Sequence, residues 1–327
     1  MSLEEVKIIP MKGCCFLSFP EMKELLISEL QNRFNADFKG MESFGDLIYL
    51  PNYELAQDFS NAPYWASTSL FNPQKIEFNS IGEAATTLKN IQRSWAPYNY
   101  TCFRRATLIQ EKLPYVNLKV RKFPFNIPHS EIGLYTLIDE HTMIAASKTS
   151  TSVPAGRIVY EENHIDPPSR AYLKIQESLV MAKYFFDVEL PDENSTCFEA
   201  GACPGGWTWV LRQLGSSVIA VDRAPLVDSL MKDPKVKFMA HDAFTLTPEE
   251  IGPMDWVFSD VICYPERLLE WIQKWLDSGK TKKMICTIKM QGEVDWSLVE
   301  KFAQIPNSKI VHLNYNKHEL TFIHVGE

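Results

Sequence analysis

Four polar residues and one glycine-rich turn carry the chemistry open to this sequence: Lys174, Asp260, Lys289, Glu319 and Gly201-Ala202-Cys203-Pro204-Gly205-Gly206-Trp207. The turn lies between the apolar run Cys197-Phe198-Glu199-Ala200 and an apolar helix expected over 209–214. A strand that breaks into glycines and enters a helix lets backbone pass close to a ligand, and the helix start offers free N–H groups. The spacing misses the G-x-G-x-x-G dinucleotide pattern, because Cys203 stands where the middle glycine would be. A ligand without a pyrophosphate tolerates that change, and S-adenosylmethionine is such a ligand. The next apolar run, Val218-Ile219-Ala220-Val221, ends in Asp222, at the distance where an acid can take ribose hydroxyls. An ordinary tight strand–helix turn is the competing reading of the loop taken alone.

Two lysines held close together and partly desolvated disfavour double protonation, so one of them can act as a general base. A fitting target is a ribose 2′-hydroxyl, a weak acid that needs help to become a nucleophile. Methyl transfer from a sulfonium requires in-line attack, and positioning supplies much of the rate. Lys289 is the expected proton acceptor. Asp260 and Lys174 would fix its protonation state, and Glu319 would hold Lys289 or Lys174 in place. Surface ion pairing is the alternative for Lys174 and Glu319.

The elements that must position these groups follow from periodicity. From Ser169 onward helices and strands alternate regularly. Tyr172, Ile175, Leu179, Ala182 and Phe186 form a helical stripe, with Lys174 off it. Asp222, Asp242, Asp260 and Lys289 each stand at the end of an apolar strand or just past it. Ligands of open α/β sheets sit outside the carboxyl ends of the strands, so these residues line one crevice with the glycine turn. The short link 314–319 implies a hairpin, which makes the last strand antiparallel to a mainly parallel sheet.

The first half reads as β-α-β over 1–80, with a helix at 21–34 and a strand at 75–78. Ser80 and Glu83 have the spacing of a capping box. A segment rich in Asn, Ser and Pro spans 61–73. Between 101 and 125 the charge reverses: Arg104, Arg105, Lys112, Lys119, Arg121 and Lys122 stand against Glu111, with Phe103, Tyr115, Phe123 and Phe125 interleaved. Basic and aromatic residues together hold RNA backbones and unstacked bases; a solvated strand face over core aromatics is the competing reading. Two strands are expected at 131–137 and 142–147 around a hairpin turn. The stretch 147–168, with Ser-Thr repeats and Pro167-Pro168, is the domain seam. Two domains result, 1–160 and 161–327.

The chain has 327 residues, 45% apolar, with a formal net charge of −8, which argues against broad non-specific nucleic-acid binding while allowing a local basic face. No apolar run is long enough for a membrane span, and the acidic opening Met1-Ser2-Leu3-Glu4-Glu5 lacks a signal-peptide core. Seven scattered cysteines without C-x-x-C suggest a reducing compartment, the cytoplasm, with neither disulfides nor zinc.

Gly-Ala-Cys-Pro-Gly-Gly-Trp-Thr at 201–208 resembles the cofactor loop of FtsJ-type RNA ribose 2′-O-methyltransferases. The order Lys174, Asp260, Lys289, Glu319 resembles their K-D-K-E tetrad. The pattern is most similar to the bacterial 23S rRNA cytidine 2′-O-ribose methyltransferase M family, through Pro168-Ser169-Arg170, Leu173-Lys174, Val221-Asp222 and Glu319-Leu320-Thr321. Ala171 and Met290-Gln291-Gly292-Glu293 depart from it. The resemblance covers about 165–327. It implies a Rossmann-like S-adenosylmethionine-dependent methyltransferase sheet, Lys289 as proton acceptor, no metal, and a preceding α+β THUMP-like, ferredoxin-like region that engages RNA. Gly201 to Trp207, Asp222, Asp242 and Asp260 would then bind the cofactor. The partner would be 23S rRNA or a large-subunit precursor. Methylation of tRNA or a cap, a silent RNA-binding assembly protein, and a nicotinamide enzyme are the other readings.

Overall fold

The structure is a computed structural model that describes residues 6–54 and 62–326. The acidic opening and Asn61, the first residue of the Asn/Ser/Pro-rich stretch, lie outside the described residues. The chain divides into two compact units: one holds the residues up to Val120 with Ile127–Val159, the other Arg121–Asn126 with the residues from Tyr160 on.

The second unit is built on a seven-stranded sheet. Its order is Val236–Ala240, Ser217–Asp222, Thr196–Ala200, Trp256–Ser259, Lys283–Lys289, Glu319–Val325, Ser308–Val311. The first five strands are parallel, and Glu319–Val325 runs antiparallel to both of its neighbours. The central strands are apolar almost throughout because helices cover the sheet. Helix Pro265–Ser278 illustrates how one is made. Pro265 stands in its first turn, Gly279 ends it in a left-handed conformation, and Leu268, Trp271, Ile272 and Trp275 form its buried stripe. Chain order reverses between Thr196–Ala200 and Trp256–Ser259, which opens a crevice at their carboxyl ends. The glycine turn and Asp260 stand at that mouth.

The first unit is α+β, with more strands than the β-α-β reading of its opening anticipates. One five-stranded sheet has the order Lys7–Pro10, Gln74–Glu77, Thr142–Ala146, Gly133–Leu137, Trp95–Pro97. The other runs Lys148–Thr149, Ala66–Phe71, Cys14–Ser18, Leu47–Leu50, Glu42–Phe44. Strand period decides the layering. Leu134 and Ile144 pack with Cys15, Leu17 and Leu70 of the second sheet. Tyr135, Met143 and Ala145 point the other way, onto helices Ile81–Ile91 and Phe103–Lys112. Ser80 and Glu83 form the reciprocal capping box. The basic stretch proves helical over Phe103–Lys112, where Ala106 and Ile109 are buried one turn apart, Arg104, Glu111 and Lys112 face out, and Arg105 packs over the Phe78 ring.

All seven cysteines are free, and Cys14, Cys15, Cys197, Cys263 and Cys286 are buried. No helix among the described residues is long and apolar enough to cross a membrane.

Candidate active site

Four elements deliver the polar groups. Lys174 comes from the first turn of helix Tyr172–Phe186, Asp260 follows strand Trp256–Ser259, Lys289 ends strand Lys283–Lys289, and Glu319 begins the final strand. Antiparallel register sets Lys289 directly opposite Glu319. Lys174 Nζ lies 3.1 Å from Asp260 Oδ1 and 2.5 Å from Glu319 Oε1. Lys289 Nζ lies 3.2 Å from the same Asp260 Oδ1 and donates to the Asp260 carbonyl oxygen at 2.8 Å. The four groups expected to converge do so, and Glu319 pairs with Lys174. Lys174 lies off the apolar stripe yet is buried, because the helix is covered on more than one face and Glu177 is buried beside it. Glu177 in turn accepts the amides of Asn314 and Tyr315, tying the helix to the loop that leads into Glu319.

The two lysines are not equivalent. Burial pulls the Lys174 ammonium down, but Asp260 and Glu319 outweigh it and carry its pKa above the ordinary lysine value. Lys289 shares a single carboxylate oxygen with another cation, and its side chain keeps 19% exposure against 10% for Lys174.

The glycine turn is fixed by sterics. Gly201 has φ +80°, and a Cβ there would come 2.8 Å from Val261 Cγ2. Gly205 has φ +115°, and its Cβ would collide with Leu230 Cδ1. Helix Gly206–Gln213 starts at the last glycine, earlier than the apolar pattern suggests. Cys203 is exposed on the turn, whereas Ala202 and Trp207 are buried, with the Trp207 indole edge-on to Phe258. Gly205→Ala is expected to cost about 1–3 kcal/mol from backbone strain, and more from the collision. Gly252→Ala carries strain alone, since φ is +92° and nothing lies within 4 Å. Chemical denaturation of both variants should show Gly205→Ala as the weaker.

Asp222 accepts the amides of Cys203 at 3.0 Å and Ala224 at 3.1 Å, so it splints the turn to the next strand. Asp242 accepts the Phe244 amide and the guanidinium groups of Arg223 and Arg267. Partial burial works to raise its pKa, but those donors hold it below the usual carboxylate range. Sequence reasoning missed Glu199, buried in the strand before the turn and accepting the Thr208 hydroxyl at 2.6 Å. Desolvation pushes its pKa up to about 8, with Asp260 and Asp222 adding to the rise. The signal was available, since an acid inside an apolar run must be neutralised or paired. No cluster of three or more His, Cys, Asp or Glu that could hold a metal occurs among the described residues.

A mainly parallel, doubly wound sheet with this turn and these strand-end groups defines a Rossmann-like fold. Residues 167–305 match the family model described as FtsJ-like methyltransferase. The chain is also similar to curated bacterial proteins named ribosomal RNA large subunit methyltransferase M. The one from Aggregatibacter aphrophilus is 30% identical over 168 residues, covering 48% of this chain and 46% of that protein. The one from Alkalilimnicola ehrlichii is 34% identical over 133 residues, covering 40% and 36%. The matched stretch thus spans less than half the length of either relative. A solved TehB-like SAM-dependent methyltransferase from Corynebacterium glutamicum aligns at 15% identity and TM-score 0.32, over 48% of this chain and 96% of that one, a likeness that carries no argument.

Proposed function

We propose that this protein is an S-adenosylmethionine-dependent ribose 2′-O-methyltransferase acting on RNA, with a cytidine of 23S rRNA as its substrate. One observation carries the reading: two lysines meet on a single carboxylate oxygen at the mouth of the crevice that holds the glycine turn. The residues suit the cofactor. Asp222 keeps lone pairs for ribose hydroxyls beyond its two backbone bonds. Ser169 Oγ is buried without a hydrogen-bond partner, in the place a Cβ on Gly206 would crowd. When bound, S-adenosylmethionine supplies an electrophilic methyl group on a sulfonium.

The chain supplies positioning and a proton acceptor. Lys289 would take the 2′-hydroxyl proton through its free amine as the ribose oxygen attacks, and the cofactor held at the glycine turn and Asp222 would supply the methyl group and carry away the leaving sulfur. Lys174 stays protonated between Asp260 and Glu319. Asp260 orients both lysines and, on the later ammonium of Lys289, supplies the counter-charge. The first unit is the THUMP-like RNA-binding region in this reading; exposed Phe103 and Tyr115 and the basic helix Phe103–Lys112 support it. The place of action is the cytoplasm.

Calorimetry should give binding of S-adenosylmethionine; binding of NAD in its stead would overturn the cofactor. Mapping of ribose methylation in rRNA from cells lacking the gene should show one site lost from 23S rRNA. An unchanged map would move the substrate to another RNA, or the protein to a non-catalytic role.

A further inference from the structure

Asp260 is followed by a four-residue link, Val261-Ile262-Cys263-Tyr264, that enters helix Pro265–Ser278. The link alternates. Val261 turns in against Gly201, and Cys263 is buried where it feels the charges of Lys289 and Arg267. Ile262 and Tyr264 turn out, 79% and 66% exposed. Single exposed apolar side chains are common and need no explanation. These two are different because of where they stand. Ile165, Met231, Ile262 and Tyr264 are the strongly exposed large hydrophobics among the described residues of the second unit, and half of them fall on this one link. Tyr264 makes no side-chain cap bond to the helix it precedes, so capping does not account for it. Arg267 follows one turn later, half exposed, with its guanidinium on Asp242 and over the Phe244 ring.

We infer that Ile262 and Tyr264 form the platform on which the base of the target nucleotide stacks. The inference rests on the proposed ribose methylation and names the part of the RNA it needs: one unpaired, unstacked base. A 2′-hydroxyl delivered to Lys289 brings its own base within one nucleoside's length, since base and hydroxyl hang from adjacent ribose carbons. Lys289 donates to the carbonyl of Asp260, the residue from which the link departs, so the link flanks that base. An aliphatic and an aromatic side chain offer the apolar face that an unstacked base seeks. Arg223 and Arg267 give the same rim the charge a flanking phosphate requires.

The test uses the full-length protein with unmethylated 23S rRNA transcript. Tyr264→Ala is expected to raise KM for RNA on the order of 10–100-fold, the range of one lost base–aromatic stack. The Kd for S-adenosylmethionine should stay unchanged, and Tyr264→Phe should restore KM to roughly wild type, since the ring and not the hydroxyl does the stacking. Anisotropy with a short unstructured RNA reads the same contact without turnover. There Tyr264→Ala and Ile262→Ser should each weaken binding while Tyr264→Phe does not. Unchanged KM and unchanged RNA affinity in Tyr264→Ala would overturn the platform, even with an active wild type. A wild type that binds no S-adenosylmethionine and methylates no RNA would instead sink the proposed function, while the anisotropy result would still decide the platform.

Discussion

Replacing Lys289 by alanine is expected to slow methyl transfer by about 10²–10⁴-fold, the worth of a positioned general base, with S-adenosylmethionine affinity unchanged. The side chain reaches Asp260 from the end of its strand and takes no part in the glycine turn, so the cofactor-side bonds survive its loss. Charge alone does not make a proton acceptor, and arginine separates the two roles. Its guanidinium cannot be deprotonated in a protein, so Lys289→Arg keeps a cation beside Asp260 and removes the base. Single-turnover rates should be depressed alike in both variants. Near-normal transfer by Lys289→Arg would show that the position works by charge, and the base would have to be sought elsewhere.

Loss of Lys174 should act on folding first. Its ammonium is the counter-ion of Glu319 and one of two on Asp260, so removing it takes that cation from the largely buried Glu319 carboxylate while Asp260 keeps Lys289. Breaking such a buried set from one side costs about 3–5 kcal/mol, so Lys174→Met is expected to unfold at markedly lower denaturant. Adding Glu319→Gln should recover a large part, because the orphaned charge is then gone. The sign of the pH dependence follows from the raised pKa of Lys174. Its stabilisation is complete below the ordinary lysine value of about 10.4 and is lost as pH climbs through the higher folded value. The alkaline decline in stability should therefore be shallower in Lys174→Met. A variant as stable as wild type across that range would mean the carboxylates find other partners.

Much of the second unit was legible because its signals are local and repeated. Apolar runs ending in Asp222, Asp260 and Lys289 can only be strands that finish at one edge, and the short link before Glu319 forces a reversal. Pairing was less legible. Which lysine Glu319 would take depends on where helix Tyr172–Phe186 lies over the sheet, a tertiary fact with no trace in spacing. Glu199 was passed over because its run was read for apolarity alone. In the first unit the strands are short and their partners distant in sequence. Gln74–Glu77 pairs with both Lys7–Pro10 and Thr142–Ala146, a register that no local window contains. Helix Phe103–Lys112 was obscured by its own surface: with only Ala106 and Ile109 buried, its apolar stripe is too thin to show a period.

The closing strand Glu319–Val325 is threaded between two strands that precede it in the chain, Lys283–Lys289 and Ser308–Val311. Those two have no ladder with each other, so without Glu319–Val325 each would leave the edge that faces it unpaired. Its first residue is also the second anion for Lys174. Completion of the sheet and arming of the crevice are therefore one event, and a chain interrupted before residue 319 would carry three of the four ionic groups but neither a sealed sheet nor a balanced Lys174.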